Sequence, residues 1–484
     1  MPGQLDLGQI AVDRNGVVPL SEQVFAAIER RISDGELVEN SRLPTTRELA
    51  AALKINRGTV QAAYRRLAEA GLVQGRIGSG TVVVGGASPE APFRLTDLLS
   101  RNAAALPEEA PIEISPPLVA DFSRLAPDEK FFPLEEFTRT VSYAWSRRRD
   151  LWQYAPPLGL AELRDEISRR LGEFGIERSR DEILVVSGAQ QGLDLLFRTF
   201  TDPGDVVAVE SPTYSGVLTL ARLSSVSVLP LPMSPEGADP RPLQGRRVKL
   251  VYLMPERQNP TGITASDSRR QELLDAAVAS GALVVEDGFE QPESRLTTLS
   301  ARSRDRVAWL GTLSKDLVPG IRIGWIAADR PLVERLARVK KAADFQTPVP
   351  LQAAVAAFLR AGADVKARRG RSGEIASRVA AASEALARFL PGVTWWGGEG
   401  ANPLFWLHLP PGISGRRVAE AAAARGVGVA PGQDFDPEGE DRPNVRLSVS
   451  RVERRDLESG IARLGEALSE VETRSRASLS APVV

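Results

Sequence analysis

The sequence predicts two parts: a small helical head that ends in a β-hairpin, and a large α/β body with a parallel-rich central sheet. In the head, residues 15–84, apolar side chains recur at helical spacing before two short β-type runs. In the body, from about residue 114, continuous apolar runs alternate with helical segments, which is typical of a parallel sheet covered on both faces. Residues 85–113 are rich in Gly, Ala, Pro and Glu and predict a linker with one helical turn near Leu95–Leu99.

The head is predicted to contain three helices and a hairpin. The first helix opens at Pro19 and carries apolar residues at helical spacing, namely Val24, Phe25, Ile28 and Ile32. Thr45, with Glu48 three residues later, predicts a capping box at the start of the second helix. A third helix follows from Arg57, and two short strands then flank a glycine-rich tip. This order is that of a winged helix-turn-helix, mainly α with a β-wing.

The start of the third helix is a candidate surface for nucleic acid. In a helix-turn-helix, side chains there reach base edges in the major groove. The residues at this position can hydrogen-bond bases or phosphates: Asn56, Arg57, Thr59 and Gln61. Arg47 and Arg65 add charge beside them, and Gly78 at the wing tip lets the backbone approach a phosphate. Charge by itself leaves open a helical docking or dimerisation module with solvated arginines.

Sequence detail in the head favours DNA binding. Its informative segments are LPTTRELA (residues 43–50), NRGTV (56–60), GLV (71–73) and GSGT (78–81). In this order they resemble the GntR-type winged-helix domain over nearly its whole length. The resemblance implies DNA contacts at Arg47, Asn56, Arg57, Thr59, Gln61 and Gly78. Gly58 stands where that family usually has a polar residue.

The central sheet of the body is predicted from six apolar runs. They are Ile183–Val186, Val206–Glu210, Lys249–Met254, Leu283–Glu286, Val307–Leu310 and Ile323–Ala327. A long helix at about 331–341 is expected to lead into a C-terminal α+β subdomain with strands near 404–409 and 445–449. The body, 114–472, therefore divides into a large subdomain, about 150–340, and a small one, about 341–472. Residues 473–484 are predicted to form a disordered tail.

Composition excludes several kinds of site. The chain has no cysteine, which excludes disulfides, thiolate nucleophiles and cysteine-based metal sites. Its one histidine, His408, lies in a strand-like segment and is interpreted as structural, so neither a Ser-His-Asp triad nor a metal site is expected. The formal net charge of −1 means that nucleic-acid binding needs a local basic patch. There is no leader-like start and no apolar run of membrane-spanning length, so we expect a cytoplasmic protein.

Lys315 is the most informative residue of the body. Lysine is scarce in this chain, and Lys315 follows the apolar run Val307–Leu310 between hydroxyl-bearing residues. A lysine at a strand end can be desolvated, lose its proton and act as a nucleophile toward an aldehyde. Pyridoxal 5'-phosphate (PLP) requires this of a protein, so Lys315 is the candidate for a Schiff base with PLP.

The other requirements of PLP also find candidates at strand ends, where open α/β sheets bind ligands. Asp287 follows a buried strand and suits the pyridine nitrogen, Tyr214 suits the face of the ring, and Asn259 suits the ring hydroxyl. Phosphate donors are expected at a helix start and around the lysine, at Ala189, Gln190, Thr312, Ser314 and Arg322. Taken singly, each residue is also compatible with a purely structural role, such as an aspartate in a turn or a tyrosine in the core.

The order of these residues resembles the class I/II aminotransferases of fold type I over about residues 120–465. The resemblance implies that Arg446 holds a substrate carboxylate through a bidentate pair. It also implies that Tyr154 reaches the PLP phosphate of a neighbouring subunit, so that the site needs a dimer. Phe289 stands where such proteins usually have a tyrosine that bonds the ring hydroxyl, and its lack of a hydroxyl is expected to weaken transaminase chemistry.

A GntR-type head on an aminotransferase-like body resembles the MocR family of transcriptional regulators. This implies a homodimer, head-to-tail, that binds a double-stranded DNA operator. It also implies that PLP itself or an amino-acid-like amine is sensed by aldimine exchange at Lys315, with Arg446 binding the effector. Two alternatives stay open: a PLP-dependent aminotransferase that carries a DNA-binding domain, and a DNA-binding protein whose body is a dimerisation scaffold.

Overall fold

The computed structural model describes residues 10, 12–14, 18–34, 36–76, 80–84, 95–104, 106, 118–288, 296–315 and 317–480. The chain forms two compact units, residues 1–99 and 100–484. The boundary between them falls inside the predicted linker, where one 3-10 turn at Leu95–Leu98 matches the expected helical turn. Each unit is described separately.

The head has the predicted winged helix-turn-helix elements. Its helices and strands are α1 (Leu20–Ser33), α2 (Thr46–Leu53), α3 (Arg57–Glu69), β1 (Val73–Arg76) and β2 (Gly80–Val83). β1 and β2 pair antiparallel. The capping box is confirmed, because the Thr45 amide donates to Glu48 Oε2 at 2.8 Å and the Glu48 amide donates to Thr45 Oγ1 at 3.2 Å. The core between the helices includes the fully buried Val24, Ile28, Leu49, Val60 and Leu67.

The body contains a large and a small subdomain. Its strands are β3 (Ala120–Asp121), β4 (Ile183–Val186), β5 (Val206–Ser211), β6 (Ser227–Ser234), β7 (Gly237–Ala238), β8 (Leu250–Leu253), β9 (Leu283–Gly288), β10 (Val307–Thr312), β11 (Gly324–Ala327), β12 (Thr394–Gly397), β13 (Leu404–His408), β14 (Val427–Gly428), β15 (Ala430–Pro431) and β16 (Asn444–Ser448). Its helices are α4 (Arg101–Ala104), α5 (Leu134–Arg147), α6 (Ala161–Gly172), α7 (Ala189–Phe200), α8 (Ser215–Leu223), α9 (Asp267–Ala279), α10 (Leu299–Arg302), α11 (Arg330–Asp344), α12 (Val349–Arg360), α13 (Ala363–Phe389), α14 (Gly415–Ala423) and α15 (Arg454–Ser480).

The central sheet has the strand order β4-β11-β10-β9-β8-β5-β6-β7 and contains all six predicted strands. β10, β9, β8, β5 and β6 run parallel, whereas β11 is antiparallel to both of its neighbours. The connection from β10 to β11, residues 313–323, is too short for the crossover that a parallel pair needs. β6 was missed because Pro230 and Pro232 interrupt its pattern, and such prolines are tolerated near a sheet edge.

The small subdomain is built on the antiparallel sheet β12-β13-β16-β15, with α13, α14 and α15 packed in the same core. It also takes in a segment from far earlier in the chain. β3 pairs parallel with β14, and Ala120 and Phe122 are buried in this core. The predicted small subdomain, about 341–472, therefore omits a strand, because a two-residue strand carries no periodic signal.

The C-terminal helix extends further than expected. The prediction of a disordered tail from residue 473 is wrong for residues 473–480, which continue α15. Thr473 Oγ1 donates to the Ser469 carbonyl at 2.8 Å, and Arg474 pairs with Glu470 at 2.6 Å, both one helical turn away. Residues 481–484 lie outside the described part. Among the helices that the structure describes, none is long and apolar enough to cross a membrane.

Candidate functional site

The predicted cofactor residues meet at one cavity of about 190 Å³ in the body. It lies where β5, β8, β9 and β10 end, as expected for a ligand site on an open α/β sheet. Its lining includes every predicted cofactor residue except Tyr154, namely Lys315, Asp287, Asn259, Tyr214, Ala189, Gln190, Thr312, Ser314 and Arg322. Residues far apart in the sequence are therefore brought together as the prediction requires.

Asp287 provides a buried carboxylate at the floor of this cavity. Its Oδ2 accepts a hydrogen bond of 2.5 Å from the Tyr252 hydroxyl, while its buried Oδ1 has no partner among the described residues. Burial raises the pKa of Asp287 to about 6, although the Tyr252 hydrogen bond and the charge of Lys315 lower it. An unsatisfied buried acceptor is costly, so this site fits a group with an N–H donor such as a protonated pyridine nitrogen.

Tyr252 is a functional residue that sequence reasoning missed. It lies fully buried on β8 opposite Val285 of β9, and side-chain alternation along β9 puts Asp287 on the same face. Burial and the Asp287 carboxylate raise the pKa of Tyr252 well above 10, which keeps its hydroxyl protonated and donating. The sheet register is the signal that identifies this pair, and the sequence does not provide it.

We expect Asp287→Asn to stabilise the cofactor-free protein at neutral pH. The folded pKa of about 6 exceeds the ordinary 3.8, so the folded state holds the proton more tightly and stability falls as pH rises from about 4 to 6. A tenfold change in proton affinity corresponds to about 1.4 kcal/mol, so the charged Asp287 lowers the free energy of unfolding by about 3 kcal/mol at pH 7.5. Asparagine still accepts from Tyr252 but carries no charge.

The measurement is urea unfolding of the cofactor-free protein, followed by tryptophan fluorescence between pH 4.5 and 8. The gain of Asp287→Asn over the natural protein should be largest above pH 7 and shrink toward pH 4.5. The matched control is Asp275→Asn on the exposed face of α9, which should give no such trend. If the gain in stability did not depend on pH, the buried charge of Asp287 would not be its cause.

Lys315 reaches the cavity from the loop after β10. Its Nζ donates to the carbonyl of Leu125, and its own carbonyl accepts from Arg371 Nη1 at 3.1 Å. Leu125 belongs to the segment that follows β3, so the lysine of the large subdomain contacts a segment whose strand pairs with β14 of the small one. The nucleophile proposed from the sequence is therefore beside Asp287 and in contact with a polar acceptor.

A phosphate cradle lies at the start of α7. Gly188 has φ of 95°, and a Cβ there would lie 2.5 Å from Arg322 Nη2, so glycine is required. Arg322 donates to the Ser187 carbonyl at 2.9 Å. The buried Ser314 hydroxyl has no partner among the described residues. Helix-start amides, a guanidinium and an unsatisfied hydroxyl together fit a phosphate.

A second cavity, of about 350 Å³, adjoins the first, with Tyr214 and Asn259 lining both. Arg446, the predicted effector residue, lies buried in its wall on β16. Its Nη1 donates to Asn259 Oδ1 at 3.1 Å, its Nη2 donates to the Ser123 carbonyl, and its guanidinium lies 4.9 Å from the Phe435 ring centre. Burial lowers the pKa of Arg446 to about 10, so it stays charged at neutral pH. It is placed to receive a carboxylate.

Tyr154 is a predicted cofactor residue that is not among the described residues lining the two cavities. Tyr154 is 84% exposed, with its ring 6.0 Å from that of Phe345. Its contact with a neighbouring subunit stays a prediction. Phe289 and the wing residue Gly78 lie outside the described residues.

In the head, the predicted DNA-binding residues occupy the exposed starts of α2 and α3. Exposed side chains are Arg47, Asn56, Arg57, Gln61 and Arg65, and Thr59 is half-buried. Asn56 caps α3, since its Oδ1 accepts from the Gly58 amide at 2.8 Å. The Tyr64 hydroxyl donates to the Pro44 carbonyl at 2.8 Å and ties α3 to the chain before α2. Together they form an exposed surface at the start of α3, with the predicted Arg57 at the first position of this helix and Arg65 further along it.

Both the head and the body match known protein families. Residues 20–83 match the bacterial regulatory proteins of the gntR family, and residues 128–464 match the class I and II aminotransferases. The HTH-type transcriptional regulator TauR of Rhodobacter capsulatus is 30% identical over 93% of this chain and 96% of its own. The probable rhizopine catabolism regulatory protein MocR of Rhizobium meliloti is 28% identical over 73% of this chain and 74% of its own.

Among solved structures, the body is similar to the α-aminoadipate aminotransferase LysN from Thermus thermophilus, in complex with N-(5'-phosphopyridoxyl)-L-leucine. The TM-score is 0.71 at 28% sequence identity, covering 79% of this chain and all of that one. The two family matches lie in the head and in the body, respectively.

Proposed function

The chain belongs to the class I and II aminotransferases and carries a gntR-family head, as MocR-type regulators do, and from this premise we propose that it is a DNA-binding transcriptional regulator that uses PLP to sense an amine. The observation that carries the proposal is one chain with an exposed helix-turn-helix surface and a buried cavity whose unsatisfied polar atoms fit PLP. We propose that it acts in the cytoplasm as a head-to-tail homodimer.

Each residue of the first cavity has a role in this proposal. Lys315 would hold the cofactor covalently, Asp287 would keep its pyridine nitrogen protonated, and Asn259 would bond its ring hydroxyl. Tyr214 would cover the ring. The residues that would hold the phosphate are Ala189, Gln190, Thr312, Ser314 and Arg322, together with Tyr154 from a neighbouring subunit. When bound, PLP supplies an aldehyde carbon that condenses reversibly with a primary amine. When no cofactor is bonded to Lys315, its Nζ donates to the Leu125 carbonyl.

Arg446 connects this site to the small subdomain. It lies on β16, whereas Asn259 and Lys315 belong to the large subdomain. An effector whose carboxylate pairs with Arg446 while its amine takes the place of Lys315 bridges the two subdomains. It therefore favours whichever arrangement of the body brings these groups together. In a dimer, that change alters the spacing of the two heads, and half-site spacing decides which DNA they fit.

The test of the proposed function is DNA binding under four conditions. Full-length protein is titrated onto the DNA upstream of its own gene, with and without PLP, and with and without a panel of amino acids. We expect PLP, or PLP plus an amine, to change the affinity or the length of the protected footprint. A footprint and an affinity that are the same in all four conditions would sink the sensing proposal.

Arg57→Ala should weaken operator binding about 10- to 100-fold, because one base-edge contact of this kind contributes about 1–3 kcal/mol. Arg57 is exposed at the start of α3. The measurement is fluorescence anisotropy of labelled operator at several salt concentrations. Arg30→Ala removes an equally positive, exposed side chain from α1 and should leave affinity nearly unchanged. Equal loss in both variants would mean that α3 is not the recognition element.

The alternative function is a PLP-dependent aminotransferase that carries a DNA-binding domain. The cavity residues Lys315, Asp287 and Asn259 favour it, since they are those that transamination uses. Steady turnover of an amino acid with a 2-oxo acid, abolished in Lys315→Ala, would establish that activity. A purified protein that shows no absorbance of bound cofactor after PLP has been added and the free PLP removed would instead indicate that the body is a dimerisation scaffold.

A further inference from the structure

We propose that Lys340, Asp344 and Gln191 form a positioning relay that shapes the phosphate cradle at the start of α7. This inference rests on the proposed function and adds to it three residues that would act on the cofactor phosphate from outside its cavity. None of the three is among the described residues that line either cavity. Their side chains nevertheless form a continuous series of hydrogen bonds that ends at the backbone of the cradle.

The relay begins at Lys340, a lysine on α11 whose side chain is fully buried. Burying an ammonium group is costly unless it meets an opposite charge. Its Nζ donates to Asp344 Oδ1 at 2.5 Å, one helical turn later. Burial lowers the pKa of Lys340, while the hydrogen bond and the charge of Asp344 oppose that fall. Asp344 is the last residue of α11, where the helix dipole disfavours a carboxylate, so the two charges stabilise each other.

Asp344 fixes the orientation of the Gln191 side chain. Its second oxygen, Oδ2, accepts a hydrogen bond from Gln191 Nε2 at 2.7 Å. An ionised carboxylate only accepts hydrogen bonds, so it selects the NH₂ group of the glutamine and turns the amide oxygen away from itself. That oxygen, Oε1, accepts from the Ser187 amide at 2.7 Å. The relay therefore connects the end of α11 to the loop before α7.

Ser187 is the residue through which the relay reaches the cradle. Its amide donates to Gln191, its carbonyl accepts from Arg322 Nη2 at 2.9 Å, and its hydroxyl lies 3.2 Å from the Thr347 hydroxyl. Gly188 follows directly and is the N-cap of α7. Because both backbone groups of Ser187 are held, the helix-start amides after it are ordered before a phosphate binds, which lowers the entropic cost of binding.

The test compares PLP with pyridoxal, which has the same ring and aldehyde but no phosphate. Full-length, cofactor-free protein is titrated with each compound, and the absorbance of the bound compound gives its dissociation constant. In Asp344→Asn one acceptor becomes an NH₂ group, so Gln191 no longer has a fixed orientation toward Ser187. We expect the dissociation constant of PLP to rise about fivefold, the effect of one net hydrogen bond, and that of pyridoxal to change less than about twofold.

Further variants test whether Asp344 acts through Gln191. Gln191→Met removes both amide contacts at a similar side-chain length and should weaken PLP binding as Asp344→Asn does, again without affecting pyridoxal. Because both changes break the same series of contacts, the double variant should lose no more PLP affinity than either single variant. Lys340→Met leaves Asp344 without its cation and should also weaken the binding of PLP but not of pyridoxal.

Glu334→Gln is the matched control. Glu334 forms an exposed pair of the same spacing with Arg330 on α11, so its neutralisation should leave both dissociation constants unchanged. Unchanged PLP binding in Asp344→Asn, equal losses for PLP and pyridoxal, or additive losses in the double variant would overturn the relay and leave the PLP-based function standing. If the natural protein shows no absorbance of bound cofactor with either compound, the PLP-based function fails and this inference fails with it.

Discussion

The Lys315→Ala protein will lose covalent attachment of PLP. Lys315 is the lysine among the cavity residues, and alanine offers no amine to the aldehyde carbon. Natural protein treated with borohydride should carry the cofactor mass on the peptide that contains Lys315. In Lys315→Ala that mass should be absent, and the absorbance of bound cofactor should disappear on dialysis. Operator binding should persist but no longer respond to PLP or amines.

Lys341→Ala is the matched control for that experiment. Lys341 is exposed on α11 and does not line the cavity, so its loss should leave labelling, absorbance and DNA response unchanged. Both variants should fold, since neither position lies in the hydrophobic core. Cofactor that stays covalently bound in Lys315→Ala, on another lysine, would overturn the assignment.

Arg446→Lys should raise the effector concentration for half-saturation about 30- to 100-fold, which corresponds to about 2–3 kcal/mol. Lysine keeps the positive charge but has a single ammonium instead of a fork. The oxygen atoms of Asn259 and Ser123, which now accept from separate nitrogens, would compete with the carboxylate for that ammonium. The measurement is absorbance titration of PLP-loaded protein with an active amino acid, alongside the same titration followed by operator binding.

The control for Arg446→Lys is Arg442→Lys, a change of the same kind at a half-exposed arginine that pairs with Asp436. It should leave half-saturation unchanged. The cofactor absorbance of unliganded Arg446→Lys should also match that of the natural protein, which shows that the first cavity is intact. Unchanged half-saturation in Arg446→Lys would mean that the effector carboxylate binds elsewhere or is absent.

The features that the sequence predicted well are local or strongly patterned. The capping box of α2 needs two residues three apart, Thr45 and Glu48, and it formed as expected. The central strands are continuous apolar runs because both faces of the sheet are covered. The features that were missed depend on partners far away in the chain. The direction of β11 follows from a short connection, and β3 exists because β14 lies beside it.

The residues of the candidate site also divide into those that a local pattern predicted and those that depend on partners far away in the chain. Lys315, Asp287 and Asn259 were predicted because ends of parallel strands meet at one edge of a sheet. Tyr252 was not, because it matters through Asp287, which the register of the sheet brings close to it. Tyr154 depends on a second copy of the chain, so its predicted role requires an assembly.

The segment from β3 to Leu125 contacts the key side chains of both cavities. Ser123 and Leu125 offer their carbonyls to Arg446 and Lys315, the two side chains that an effector and a cofactor would occupy. The chain is already attached to the body before this segment, because Asn102 on α4 donates to the Leu223 carbonyl at 2.8 Å and accepts from Ser225 Oγ at 2.7 Å. Under the proposed function, the effector and the cofactor would therefore act on one stretch of backbone inside the body. A shift of this stretch caused at one of the two side chains would change the position of the carbonyl that the other one uses.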